Sequence, residues 1–236
     1  MTLLTPRCGL MHDQVKPLKI GHRGAAGHAP ENTLIALQKG IELGVDFVEF
    51  DVRRTNDGML VLFHDRTLGS LQTRGRRVSD LSWSSLQTVE IGPGQTIPTL
   101  RDALNHINGL TGAMIELKEE HIADEVCQVV EEVGFIGPII YASFWHKELL
   151  EIRNNRPSAK TLALIEGAPV NLTAFAEEAG ATHVGLALDC VTERYVSALH
   201  AKNLAVFVYT VDEPMDITWL SSISVDGIIS NFPDRI

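Results

Sequence analysis

Phe47-Val48-Glu49-Phe50-Asp51-Val52 alternates as a β-strand does: successive side chains point to opposite faces, so Phe47, Glu49 and Asp51 share one face while Val48, Phe50 and Val52 fill the other. Two carboxylates therefore stand side by side in an otherwise apolar segment. Like charges at that spacing repel, and burying them uncompensated would cost several kcal/mol, so they need a cation, a basic partner or a shared proton. A divalent metal is the strongest of these, because hard cations such as Mg²⁺ and Ca²⁺ select oxygen ligands and a Glu-x-Asp strand offers two from rigid backbone. A strand whose polar face meets solvent would carry the same pattern.

Upstream, Leu18-Lys19-Ile20-Gly21-His22 reads as a short strand, after which Gly21, Gly24 and Gly27 let the backbone turn sharply. Pro30-Glu31-Asn32-Thr33 then precedes the apolar series Leu34, Ile35, Leu37, Ile41 and Leu43, with Gly44 behind it, which predicts a helix with a start signal and a glycine stop. The glycine spacing fits neither a Walker loop nor a dinucleotide fingerprint. Downstream, Arg53-Arg54-Thr55-Asn56-Asp57-Gly58 followed by Met59 to Phe63 predicts a hairpin that returns His64-Asp65 to the level of Asp51. Residues 66–97 carry weak patterning apart from a short amphipathic piece around Trp83 and Leu86. They read as an excursion over the active-site end, with Arg74, Arg76 and Arg77 able to attract a phosphate or simply to form a solvated basic loop.

From Thr99 the alternation is regular. A helix capped by Thr99 runs through Asn108, and Ala113-Met114-Ile115-Glu116-Leu117-Lys118 returns to strand periodicity with Met114, Glu116 and Lys118 on one face. Helices are expected over 123–133, 146–155, 171–179, 192–202 and 213–222, and strands over 139–143, 161–165, 183–188, 205–210 and 226–230. Setting aside the hairpin's return limb, eight strands alternate with helices, which predicts an α/β fold of the (β/α)₈ TIM-barrel type with a β-hairpin and an excursion after the second strand. An open doubly wound sheet would leave two edges and give no reason for a count of eight. The expected organisation is an N-terminal segment over 1–17 and one barrel domain over 18–236, the last helix being absent or replaced by the N-terminal segment.

Composition narrows the function. The 236 residues are 44% hydrophobic, enough for one sizeable core, and the net charge of −10 argues against nucleic acid or an anionic membrane as the main partner. Cys8, Cys127 and Cys190 are scattered, odd in number and without ligand spacing, so they read as reduced thiols of a cytoplasmic protein. In a barrel the functional groups gather at the carboxyl ends of the strands, which brings His22, Glu49, Asp51, Glu116 and Lys118 together from three strands. His22 and His64 abut the glycine turn and the hairpin. His12, His106, His121, His146, His183 and His200 have no such context and read as structural.

Taken together, His22-Arg23-Gly24, Pro30-Glu31-Asn32-Thr33, Glu49-Phe50-Asp51, Thr55-Asn56-Asp57-Gly58 with His64-Asp65, and Glu116-Leu117-Lys118 resemble the motif series of the glycerophosphodiester phosphodiesterase family. Tyr209-Thr210-Val211 and Asp226-Gly227-Ile228-Ile229 resemble its closing segments. The resemblance implies a barrel enzyme that hydrolyses glycerophosphodiesters to glycerol 3-phosphate and an alcohol with one divalent cation, Mg²⁺ or Ca²⁺. It puts the metal ligands on Glu49, Asp51 and Glu116, the acid and base on His22 and His64, and the phosphate contacts on Arg23 and Lys118. Phe144 and Tyr209 are candidates for the substrate pocket. Two positions depart from the pattern and bear on the alcohol: Tyr209 stands where many relatives have Trp, and Ala142 precedes Ser143-Phe144 where a second Ser is common. A phospholipase D-like or phosphoinositide-cleaving barrel, and a barrel that binds phosphate or metal without turnover, are the alternatives; the acidic chain shows little of the basic or apolar rim that intact lipid would need.

Overall fold

The computed structural model describes residues 16–69 and 75–236. Leu18–Gly21 (β1) and Phe47–Arg54 (β2) flank the helix Leu34–Glu42 (α1). Leu60–Leu62 (β3) returns antiparallel on β2, opposing Leu62 to Val52, and Phe63 N–H donates to the Asp51 carbonyl at 3.1 Å. The Asn-Asp-Gly turn thus brings His64 back to the level of Asp51, as its spacing predicts. Gly112–Leu117 (β6) follows the excursion, and Ile139–Ser143 (β7), Lys160–Ile165 (β8), His183–Ala187 (β9), Ala205–Tyr209 (β10) and Gly227–Ser230 (β11) complete the strands.

All eight barrel strands pair in parallel in the order β1, β11, β10, β9, β8, β7, β6, β2, and β1 pairs with β2, which closes the ring. The helices Leu100–Ile107 (α3), Ala123–Val133 (α4), His146–Asn155 (α5), Ala174–Glu178 (α6), Glu193–His200 (α7) and Pro214–Ser222 (α8) lie in the intervals between successive strands. Alternation sorts the strand side chains into two cores. Ile20, Phe47, Met114, Ile140, Leu162, Leu164, Phe207 and Ile229 fill the barrel interior, while Val48, Phe50, Val52, Ile115 and Leu117 pack outward into the helix layer.

Local chemistry explains several boundaries. Thr33 caps α1 by accepting from the Ala36 amide, and Thr99 forms a reciprocal capping box with Asp102 at the start of α3. Two expectations are corrected. The helix expected over 171–179 occupies Ala174–Glu178, because Asn171 spends its side chain on the amides of Thr173 and Ala174 and forms the capping turn instead. The excursion is more structured than its patterning suggests: Trp83–Leu86 (α2) and the hairpin Glu90–Gly92 (β4) with Gln95–Thr96 (β5) accompany a separate cluster of Val61, Leu68, Val78, Leu81, Leu86, Val89 and Ile97. Those apolar residues are too sparse and irregular to betray a period. Among the described residues no helix is long and apolar enough to cross a membrane.

Candidate active site

The second and third barrel strands build an acidic centre at their carboxyl ends. Glu49 and Asp51 point inward from β2, and the β2–β6 register sets Glu116 directly opposite Asp51. One oxygen from each of the three lies within 4.8 Å of the others, and the side chains are buried, Asp51 to 1% exposure. Each acid is held from a different direction. Glu49 Oε2 accepts the Arg23 amide at 2.7 Å, Asp51 Oδ2 accepts Asn32 Nδ2 at 2.8 Å, and Lys118 Nζ donates to Glu116 Oε1 at 2.6 Å. Glu49 Oε1 and Asp51 Oδ1 are buried without a hydrogen-bond partner. An all-oxygen donor set with two orphaned buried oxygens fits a hard divalent cation.

The electrostatics separate the three acids. Burial, then the neighbouring charges of Asp51 and Glu116, push Glu49 well above the usual carboxylate range. Burial and Asp51 push Glu116 up to about 7 against the pull of Lys118. Burial also opposes charge on Asp51, yet Lys118 and Arg23 outweigh it and hold that group below its ordinary value. A carboxyl raised in the folded state binds more protons there than when unfolded, so it subtracts stability as pH rises. In chelator, the stability of the metal-free protein is therefore expected to fall between about pH 4.5 and 7, the window set by Glu116. Urea unfolding across that window measures it, and Glu116→Gln should flatten the slope; an unchanged slope would contradict this account.

The two histidines stand on opposite supports. His22 follows β1, its Nδ1 lies 2.7 Å from Asn231 Oδ1, and its Nε2 lies 4.0 Å from Glu49 Oε2. Burial and then the Arg23 charge lower its pKa, so the ring is neutral at pH 7. His64 ends the hairpin, where Arg53 clamps its carbonyl oxygen through Nε and Nη2 at 2.9 and 2.7 Å. Its Nδ1 lies 2.8 Å from Asp65 Oδ1; a carboxylate only accepts, so Nδ1 donates and Nε2 is the free nitrogen. His146, His183 and His200 bond Leu164 O, Thr182 Oγ1 and Asp226 Oδ2, away from the acids. His12 and Cys8 lie outside the described residues.

Arg23 and Lys118 both face the acidic centre. Arg23 takes a left-handed backbone (φ 49°), and the next residue, Gly24 (φ 89°), packs where a Cβ would meet the Ala36 carbonyl carbon at 2.4 Å. That close approach of the turn to α1 aims the guanidinium between Glu31, which it grips at 2.8 Å, and Asp51, 3.4 Å away. Lys118 Nζ reaches Asp51 Oδ1 at 3.5 Å as well as Glu116. A cavity of about 30 Å³ opens beside them, bordered by His22, Glu49, Glu116, Leu164 and Tyr209. Tyr209 donates to the Ile165 carbonyl and packs edge-to-face on Phe144, whose ring is also 5.8 Å from Lys118 Nζ. Arg77 lines a neighbouring cleft of about 230 Å³ with Arg66, Lys118 and Trp145, whereas Arg76 is exposed and absent from that cleft. Arg74 lies outside the described residues.

Four residues of this centre escape a reading of the sequence. Asn32, read there as part of a helix start signal, sits 1% exposed at φ 56° and exchanges two hydrogen bonds with Asp51, side chain to side chain and Oδ1 to the Asp51 amide at 3.1 Å. Glu31 binds Arg23. Asn231 and Asp212 stand behind His22. Only the left-handed tolerance of asparagine hinted at Asn32, and the local Glu31–Arg23 pair carried no motif; Asn231 and Asp212 needed the closed ring.

A model of a family described as the glycerophosphoryl diester phosphodiesterase family matches residues 22–235. A protein of Bacillus altitudinis named glycerophosphodiester phosphodiesterase is 28% identical over 232 residues, covering 91% of this chain and 94% of its own. One of the same name from Caldanaerobacter subterraneus is 27% identical over 235 residues, covering 94% and 97%. The structure of an Oleispira antarctica phosphodiesterase in complex with the product sn-glycerol-3-phosphate superposes with a TM-score of 0.85 at 26% identity, covering 93% of this chain and 95% of that one.

Proposed function

The chain belongs to the glycerophosphoryl diester phosphodiesterase family, and from that premise we propose that it hydrolyses glycerophosphodiesters to glycerol 3-phosphate and an alcohol by histidine acid–base catalysis beside a divalent cation. The observation that carries this reading is the convergence of Glu49, Asp51 and Glu116 on one point, with one buried oxygen of Glu49 and one of Asp51 making no hydrogen bond. These three would hold one cation, Mg²⁺ or Ca²⁺. When bound, it supplies positive charge against a phosphodiester oxygen.

Everything else falls to the chain's own side chains. Arg23 and Lys118 neutralise charge on the remaining phosphoryl oxygens as it grows, Arg23 from its station between Glu31 and Asp51. His22, neutral and with Nε2 turned towards the acids, takes the proton of the attacking hydroxyl, either water or the neighbouring hydroxyl of the glycerol. His64 would act as the imidazolium, its Nδ1–H held by Asp65, and give its Nε2 proton to the departing alkoxide, whose expulsion is otherwise slow, leaving the neutral ring. The Tyr209 ring borders the cavity and Phe144 packs edge-to-face on it, and the two bear on which glycerophosphodiester fits. Neither nucleic acid nor a membrane is needed by this chemistry, and the acidic chain with its unpaired Cys127 and Cys190 suits a reducing cytoplasm.

The expected result is release of glycerol 3-phosphate from glycerophosphocholine that requires Mg²⁺ or Ca²⁺ and ceases with chelator. Turnover undiminished in chelator would remove the cation from the reading. No release from any of a panel of glycerophosphodiesters, with either cation present, would remove the substrate class.

A further inference from the structure

Behind His22 runs a chain of hydrogen bonds in which every donor is determined. Asp212 follows β10, and its carboxylate collects three donors: the Asn231 amide N–H at 2.8 Å, Asn231 Nδ2 at 2.7 Å and the Ser230 hydroxyl at 3.0 Å. The Ser230 oxygen itself accepts from the Phe232 amide at 3.0 Å, so its own proton is free to go to Asp212. A carboxylate can only accept, so the nitrogen of the Asn231 side chain must face Asp212. Its oxygen must then face His22, 2.7 Å from Nδ1. Turning the amide over would set an oxygen against the Asp212 carboxylate and a nitrogen against the ring, losing both bonds. An oxygen without a proton can meet Nδ1 only if Nδ1 carries the hydrogen.

We propose that Asp212 and Asn231 are positioning residues for the hydrolysis: Asp212 fixes the Asn231 amide, and Asn231 holds His22 as its Nδ1–H tautomer with Nε2 bare towards the reacting centre. This assignment rests on the proposed reaction and deepens it, since it leaves Nε2 of His22 able to accept a proton, as the base role requires. The backbone of Ser230 and Asn231 also fixes where the ring sits. The His22 amide donates to the Ser230 carbonyl at 2.9 Å and the Gly27 amide to the Asn231 carbonyl at 2.9 Å, so the strand end that carries Asn231 also anchors both sides of the glycine turn. Hydrogen-bond partners that orient a functional histidine are worth about 10- to 100-fold when removed.

Long-range ¹H–¹⁵N spectra of the full-length, cation-loaded protein, labelled at histidine, report which nitrogen of His22 carries the proton without reference to activity. The expected result is protonation at Nδ1 in the native protein. In Asp212→Asn the Asn231 amide is released, and the signal should move towards the Nε2–H form while kcat falls about 10- to 100-fold with KM within about twofold. The exchange Asp212→Asn combined with Asn231→Asp places a carboxylate directly against Nδ1 and an amide behind it. It should restore the Nδ1–H form and most of the lost kcat, which a merely structural role would not produce. A native protein protonated at Nε2 overturns the inference, as does an Asp212→Asn variant with unchanged tautomer or undiminished kcat. If instead His22→Ala itself keeps full turnover while the native tautomer is Nδ1–H, the base role fails and the hydrogen-bond chain stands.

Discussion

His22→Ala is expected to lower kcat by about 10²- to 10⁴-fold, the range for loss of a general base, while the protein stays folded. The ring belongs to none of the apolar clusters, and its backbone is tied independently to Ser230. His64→Ala should cost a similar factor with ordinary alcohols, because an alkoxide is a poor leaving group unless it is protonated. The two losses are separable by changing the leaving group. With an activated aryl ester, whose phenolate departs without a proton, His64→Ala should recover most of its rate and His22→Ala should not. Recovery in the opposite variant would exchange the roles, and full activity of a folded His64→Ala protein on glycerophosphocholine would leave the reaction without this acid. Circular dichroism and thermal unfolding of both variants check that the fold is retained.

How far the site could be read from the sequence depends on whether a residue's role is set by strand periodicity or by ring closure. Glu49 and Asp51 were legible because alternation of period two puts them on one face whatever the tertiary context. Glu116 was legible as a carboxylate on a third strand, but its position opposite Asp51 follows from the parallel β2–β6 register, which no local pattern encodes. His64 was legible through the Asn-Asp-Gly turn, which sets hairpin length and so returns it beside Asp51. Asn32, Asp212 and Asn231 were not legible as site residues. Asparagine and aspartate after a strand or before a helix are ordinary turn formers, and their partners are set by tertiary structure: Asn32 meets Asp51 19 residues on, across α1, and Asn231 meets His22 209 residues away, across the closure of the ring. The excursion failed for a different reason: among the described residues its cluster is Val61 of the hairpin and six apolar residues distributed over short elements, each too brief to show a period.

Glu49→Gln and Asp51→Asn are expected to move the stability of the metal-free protein in opposite directions while both abolish cation-dependent activity. At pH 7 in chelator, folding either buries the Glu49 charge against Asp51 and Glu116 or takes up a proton to avoid doing so. A raised carboxyl pKa subtracts stability above the unfolded value, so glutamine, which needs neither remedy, should stabilise by on the order of 1 kcal/mol. Asp51 is the reverse case. Lys118 and Arg23 hold it ionised against burial, and its contribution is present above its ordinary value near 3.8 and lost as pH falls. Asparagine in its place strips both cations of a buried partner and should destabilise by about 1–3 kcal/mol. Adding Mg²⁺ or Ca²⁺ tests the other half. A ligand that binds only the folded state contributes about 2.7 kcal/mol at a hundredfold excess over Kd, so the native protein should unfold at a higher temperature with the cation than in chelator, and neither variant should gain comparably. The physical point lies in the sign for Glu49: a side chain whose removal strengthens the empty protein and weakens the loaded one is held in place by what it binds, not by the fold. A Glu49→Gln protein less stable than the native one in chelator would show that this carboxylate is structural and that the acidic centre is satisfied by Lys118 and Arg23 alone.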